Sequence, residues 1–203
     1  MLMAKLYFKY GVMNSGKSLE ILSRNYNFRE RGIGTLILKP SADTRDSNII
    51  RSRALNTEQK CVLLSPDTNA YVTVCTYMDS FKTAGNPEIK WVIVDEAQFL
   101  TPEQVDQLAR VVDDLDINVL CYGLRTDFRT NLFPGSKRLF EIADKLEEMR
   151  STCRCGERAS VNVRYSKDGT IVTDGPQVEC GSEDRYITLC RKCYLKAVQE
   201  GHL

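Results

Sequence analysis

KLYFKYGVMNSGKSLEILSRNYNFRERG, residues 5–32, decides the fold. Its middle, Gly11, Val12, Met13, Asn14, Ser15, Gly16, Lys17 and Ser18, fits G-x-x-x-x-G-K-[ST], a loop whose backbone N–H groups wrap phosphates. KLYFKY before it is aromatic and alternating, as a strand is. LEILSRNYNFRERG after it carries Leu19, Leu22 and Tyr26 at helical spacing and stops at Gly32. Strand, glycine loop and helix stand in the order that a phosphate loop requires. Gly11 and Gly16 permit the backbone angles that aim N–H groups inward, Lys17 neutralises the outer phosphates and Ser18 ligates Mg²⁺. The ligand class is ATP or GTP, and the purpose of the nucleotide is left to the rest of the chain.

Working outward, TLILKP (35–40), YVTVCTY (71–77), WVIVDE (91–96) and NVLCYG (118–123) read as further strands, with helical patterns between most of them. Thr101-Pro102-Glu103-Gln104 is a helix start with an N-cap, a proline at the first helical position and a capping-box Gln. Strands rich in Val, Ile and Leu separated by helices imply an α/β fold, a mostly parallel sheet covered on both faces. Residues 41–60 are polar with little periodicity, and 124–136 lie just past a strand's C-terminal end. Loops of that length are usually binding loops or disordered. GSKRLFEIADKLEEM returns to helical spacing through Leu139, Ile142, Ala143 and Leu146. From Cys153 onward the pattern is a hairpin turning at Asp168-Gly169, a strand DRYITL, a cysteine pair and a short tail helix YLKAVQEG.

Composition narrows the function. The 203 residues suffice for one α/β domain of about 150 residues and a smaller appendage. Lys plus Arg number 28 against 27 for Asp plus Glu, so a net charge of +1 gives no field that would gather nucleic acid or an anionic membrane. Small-molecule partners are expected. The N-terminal run, interrupted by Lys5 and Lys9, reads as an edge of the core rather than a signal peptide, and no segment approaches the ~20 apolar residues of a membrane span. Of eight cysteines, Cys61, Cys75 and Cys121 are scattered, whereas Cys153, Cys155, Cys180, Cys190 and Cys193 crowd the last quarter. At this length, beside a phosphate loop, they are cytosolic thiols plus a metal site rather than a disulfide scaffold.

Two constellations carry further chemistry. WVIVDEAQF delivers Asp95 at a strand's C-terminal end, where an acid holds the magnesium shell. Glu96, on the opposite side by strand alternation, is free either to take a proton from an acceptor hydroxyl or to polarise a water as in an ATPase. Residues alone leave those two open. Cys153-Arg-Cys155 and Cys190-Arg-Lys-Cys193 bracket a hairpin at metal-ligand spacing, and four thiolates make a tetrahedral zinc site that stabilises a segment of thin apolar content. Cys180 is the rival ligand, read as a small, partly buried thiol, and His202 as part of a frayed tail.

The phosphate loop GVMNSGKS, the acids of VDEAQF, CYGLRTDFR, GSEDRY and CRKCY, in that order, resemble the type II thymidine kinases, the zinc-bearing class, over essentially the whole chain. The resemblance implies a P-loop (RecA-like) domain over 1–150 and a zinc-ribbon-like lobe over 151–203 carrying a substrate-closing loop. It implies transfer of the γ-phosphoryl group of ATP, with Mg²⁺, to the 5′-hydroxyl of deoxythymidine. A cytoplasmic homotetramer, a structural Zn²⁺ and feedback inhibition by the end-product triphosphate follow from it too. Carried over by position, Glu96 resembles the catalytic base, with Asp95 and Gln98 in the nucleotide-site segment. Met13, Phe99, Leu124 and Phe128 resemble the walls around the thymine base. Asp43 and Arg45 match a D-T-R element near the active site, and Tyr186 the tyrosine of the closing loop. The first knuckle is C-x-C where many members have C-x-x-C, and Cys180 stands where the family usually has an aliphatic residue. A nucleic-acid-stimulated ATPase is the rival reading, since D-E-A-Q resembles the helicase acid motif. It lacks a second α/β domain and a basic stripe. A zinc-ribbon adaptor leaves the phosphate loop unexplained.

Overall fold

The computed structural model describes residues 3–42, 48–52, 56–177 and 185–203. Along the chain these form β1 (Leu6–Gly11), α1 (Lys17–Glu30), β2 (Gly34–Pro40), β3 (Ile49–Ser52), β4 (Thr57–Lys60), β5 (Val62–Leu64), α2 (Ala70–Thr83) and β6 (Ile89–Val94). A 3₁₀ turn at Ala97–Phe99 leads to α3 (Pro102–Leu115), β7 (Asn118–Leu124), α4 (Pro134–Ile142) and β8 (Lys145–Met149). The remainder is β9 (Ser151–Thr152), β10 (Arg158–Ala159), β11 (Val161–Tyr165), β12 (Ile171–Val172), β13 (Arg185–Leu189) and α5 (Arg191–Glu200).

Six strands make one sheet in the order β5-β2-β6-β7-β1-β8, and every neighbouring pair is parallel. The α/β class is therefore as expected. Val92 and Val94 pack with Val105, Leu108 and Val111 of α3, while Ile93 and Tyr122 pack with Ile21 of α1, so both faces of the sheet are covered. Alternate residues of one strand supply the two cores, which is why WVIV is a continuous apolar run. β1 lies inside the sheet, between β7 and β8, rather than at the edge of the core. Lys9 is tolerated there because its ammonium meets Glu20 of α1 at 2.7 Å and Glu147 of β8 at 2.8 Å.

Four local expectations are corrected. YVTVCTY is helical, inside α2. Asn69 caps it by accepting from Val72 N at 3.0 Å, and Ala70 and Val74 are buried at helical spacing. Its threonines return their hydroxyls to carbonyls four residues back, as Thr73 does to Asn69 and Thr76 to Val72, so β-branched residues sit in a helix. On α1 the buried face is Ile21 and Asn25, with Phe28 half-buried, whereas Leu19 and Tyr26 are exposed. The helical pattern expected over 135–149 ends at Ile142, where the Asp144 carboxylate accepts from Leu6 N at 2.7 Å and draws KLEEM alongside β1 as an edge strand. Within 41–60, Ile49–Ser52 and Thr57–Lys60 pair as an antiparallel hairpin.

The C-terminal residues form the expected antiparallel pieces, β12-β11-β13 and the two-residue pair β9–β10. Asp168-Gly169 is the turn, with Gly169 at φ 91°. His202 is no frayed end: its Nε2 lies 2.7 Å from the Asp168 carbonyl, and His202 bridges to Thr170. Among the described residues no helix is long and apolar enough to cross a membrane.

Candidate active site

The phosphate loop joins β1 to α1 as its pattern requires. Gly16 caps α1 at φ 84°, a left-handed angle that a side chain rarely adopts. Gly11 serves a different purpose than the backbone angle expected of it. A Cβ there would lie 2.6 Å from Ser15 Oγ and 2.8 Å from Met149 O. Lys17 is buried, and its ammonium donates to Val12 O at 2.8 Å and Ser15 Oγ at 3.3 Å, so it is held inside the loop at the N-terminus of α1. A helix N-terminus with a cation beside it favours anions.

Asp95 follows β6 directly and is 4% exposed. Burial raises its pKa, the neighbouring Glu96 raises it further, and the Glu96 N–H, Lys17 and Lys39 partly offset this, leaving it at about 7. Such an acid favours the folded state fully below pH 3.8, its ordinary pKa, where both states are protonated. Between there and about 7 the unfolded chain releases the proton first, so the contribution is lost as pH rises. Without added Mg²⁺, Asp95→Asn is expected to flatten the fall in stability between pH 5 and 8 and to be the more stable protein at pH 8 by about 2–4 kcal/mol. Urea denaturation at stepped pH measures this, and parallel curves for the two proteins would contradict it.

Glu96 adopts φ 51°, ψ 38°. Left-handed geometry costs a residue with a Cβ about 1–2 kcal/mol and gathers at functional sites. It also corrects the reason given for the two acids parting. The strand ends at Val94, so a left-handed step, and not strand alternation, separates buried Asp95 from partly exposed Glu96. Gln98 then fixes the carboxylate. Its Nε2 donates to Glu96 Oε2 at 2.6 Å, while its Oε1 accepts from Leu124 N at 3.0 Å. The second bond dictates which way the buried amide faces, so the Glu96 oxygen meets a donor.

The expected base-pocket residues fall into two groups. Met13, Phe99 and Leu124 are partly exposed and tied to the loop and the acid. Met13 N donates to Asn162, Leu124 is held through Gln98 and through Ser136 Oγ at 2.6 Å, and the Phe99 ring meets Phe133 edge-on at 5.6 Å. Phe128 is 3% exposed, and its ring meets the guanidinium groups of Arg164 at 5.1 Å and Arg129 at 5.7 Å. It backs the site rather than offering an open face. Tyr186 on β13 stands opposite Arg164 in the ladder. Asp43, Arg45 and Cys180 lie outside the described residues. A separate open cavity of about 600 Å³, lined by Asn25, Arg29, Gln59, Tyr77 and Phe81 among others, touches none of these groups.

Asn162 is the functional residue that sequence reading missed. Buried on β11, it accepts from Met13 N at 2.8 Å and donates to Thr126 O at 3.0 Å, stitching the phosphate loop to the loop after β7. No spacing in VNVRY announces it. The signal is a polar residue between two valines at the start of the strand.

Cys153, Cys155, Cys190 and Cys193 bring their sulfurs within 4.8 Å of one another, and Cys155 and Cys190 are 3.7 Å apart. A tetrahedral ion with ligands at about 2.3 Å needs sulfur–sulfur edges of roughly 3.8 Å, so the four fit a metal. The short first knuckle is accommodated by β9–β10, where Cys153 N donates to Glu157 O and Gly156 N to Cys153 O. In the second knuckle Cys190 caps α5, accepting from Cys193 N. Burial opposes charge on Cys153, but hydrogen bonds from the backbones and thiols of Cys155 and Cys190 bring it to about 6. Hydrogen bonding to Cys155 and Cys190, then burial and the Cys153 charge, push Cys193 up to about 12. Four thiolates this close repel one another, and a bound cation would offset that charge.

Comparison with known proteins agrees with this geometry. The family model for thymidine kinase matches residues 4–194. A thymidine kinase of Rhodopirellula baltica is 47% identical over 199 residues, 98% of this chain and 91% of that protein. Those of Ruegeria pomeroyi (41%, covering 96% of each chain) and Coxiella burnetii (43%, covering 94% of each) are similar along nearly their whole length. With its glycine loop, paired acids and four-cysteine cluster inside the matched span, the chain belongs to the thymidine kinase family.

Proposed function

We propose that this kinase moves the γ-phosphoryl group of ATP to the 5′-hydroxyl of deoxythymidine, with Glu96 as general base. The observation that carries the reading is the Gln98 amide, hydrogen-bonded to both the Glu96 carboxylate and the Leu124 backbone. It holds an acceptor for a proton beside the end of β7, where the nucleoside hydroxyl would come.

In the reaction the 5′-hydroxyl oxygen bonds to the γ-phosphorus, the bond from that phosphorus to the β,γ-bridging oxygen breaks, and ADP leaves. The hydroxyl proton passes to Glu96, which can accept it late because the transition state is loose. Lys17 turns from Val12 O and Ser15 Oγ toward the phosphates. Mg²⁺, held by the Ser18 hydroxyl and Asp95, would supply charge neutralisation at the β- and γ-oxygens. A proton should leave Asp95 when the metal binds. Met13, Phe99 and Leu124 enclose the base, with Phe128 behind them and Tyr186, Asp43 and Arg45 completing the nucleoside side. Residues 1–150 act as the nucleotide-binding domain and 151–203 as the lobe that holds the closing loop, with zinc on the four cysteines. The same reading includes a cytoplasmic homotetramer inhibited by the end-product triphosphate, with no nucleic-acid or membrane partner.

A panel of nucleosides with ATP labelled at the γ-phosphate tests the assignment. Deoxythymidine should be the best acceptor, and deoxyuridine, lacking one methyl, should trail by about 10–200-fold in kcat/KM. Turnover indifferent to nucleoside and raised only by added DNA or RNA would replace the kinase reading with the ATPase one.

A further inference from the structure

Two contacts clip the loop after β7 to residues 174–177, and a third comes from Arg164 on β11. The Asp127 carboxylate is wholly buried and accepts from Arg129 N and Asn131 N, both at 2.9 Å, while its second oxygen accepts from Gln177 Nε2 at 3.0 Å. Arg129 Nη1 lies 3.9 Å from Asp174 Oδ1, and Arg164 Nη1 donates to Pro176 O at 3.4 Å. The same two arginines meet the Phe128 ring. Among the described residues Arg129 Nε, buried 3.7 Å from Asp127 Oδ2, has no hydrogen bond, so charge and the ring hold that side of the guanidinium. A single carboxylate thus shapes the turn beside Phe128 and joins it to a segment 50 residues further along the chain.

We infer that Asp127 is a positioning residue for the nucleoside side of the site. Through its two backbone bonds it fixes Phe128, and through Gln177 it fixes residues 174–177, whose Pro176 carbonyl accepts from Arg164, the ladder partner of Tyr186. This deepens, and rests on, the reading that the loop after β7 faces the nucleoside. Among the described residues the Asp127 carboxylate bonds to no phosphate-loop residue, so its effect falls on one substrate.

The pair can be exchanged to test this. Asp127→Asn sets an amide N–H₂ against the Gln177 N–H₂, and Gln177→Glu sets two carboxylates together. In the double variant an Asn donor faces a Glu acceptor, and the bond is restored with its polarity reversed. Each single variant should raise KM for deoxythymidine about tenfold, the order expected for losing a charge-assisted bond, with KM for ATP unchanged. The double variant should return to within about threefold of wild type. A double variant no better than either single, or KM for ATP rising in step, would overturn the inference. Hydrogen exchange at the Arg129 and Asn131 amides reads the clip without activity: protection should fall in Asp127→Ala, which removes their acceptor, and unchanged protection would also overturn it. A wild-type protein inert toward deoxythymidine would instead overturn the functional reading, with the exchange data still deciding the clip.

Discussion

Glu96→Gln lowers kcat for phosphoryl transfer by about 10²–10⁴-fold, the range for a lost general base, while ATP affinity stays within about threefold of wild type. The substitution is nearly isosteric, so the left-handed backbone at residue 96 and the 3₁₀ turn after it persist. What changes is the atom facing Gln98. An amide at residue 96 can still accept from Gln98 Nε2 through its oxygen, which holds the side chain in place but leaves no carboxylate to take a proton. A loss in kcat with binding intact is therefore the signature of the proton-accepting role. Isothermal titration with ATP beside steady-state kinetics separates the two quantities, and activity within a few-fold of wild type would remove Glu96 from the mechanism.

Cys190→Ser and Cys193→Ser should each release the metal and melt the C-terminal segment, since structural zinc in small folds supplies on the order of 10 kcal/mol of apparent binding energy. The effect should travel beyond the cluster. Cys153 and Cys190 belong to a core that also holds Val161, Val163, Leu189 and Ala197, and Val12 of the phosphate loop packs into it. Asn162, on the strand between those valines, holds Met13 N. Loss of the knuckle should thus weaken ATP binding through Val12, whose carbonyl holds Lys17. Metal analysis should fall from one zinc per chain to a small fraction, with a parallel drop in cooperative unfolding. A wild-type protein with no zinc, or a variant with unaltered melting, would contradict this.

The phosphate loop, the Asp95-Glu96 pair and the cysteine knuckles were legible because each is a contiguous pattern whose spacing is set by one local geometry. The α3 start was equally legible: Thr101 and Gln104 form their reciprocal capping bonds as the spelling demands. YVTVCTY misleads because its β-branched residues describe a strand, while a cap at Asn69 and threonine-to-carbonyl bonds make a helix that buries Ala70 and Val74, with Tyr77, Met78 and Phe81 half-buried beside them. KLEEM misleads for the opposite reason. Its charges look like a solvated helix face, yet Glu147 is the partner of buried Lys9, two strands meeting where no sequence window spans both. Asn162, Gln98 as a clamp and Asp127 were out of reach for the same reason: their partners lie 149, 26 and 50 positions away.

The most direct test follows the labelled phosphate itself. Incubated with γ-labelled ATP, Mg²⁺ and deoxythymidine, the protein should yield deoxythymidine 5′-monophosphate carrying the label, one per ADP formed, with almost none as inorganic phosphate. Label appearing as inorganic phosphate at the same rate with or without deoxythymidine would contradict the account.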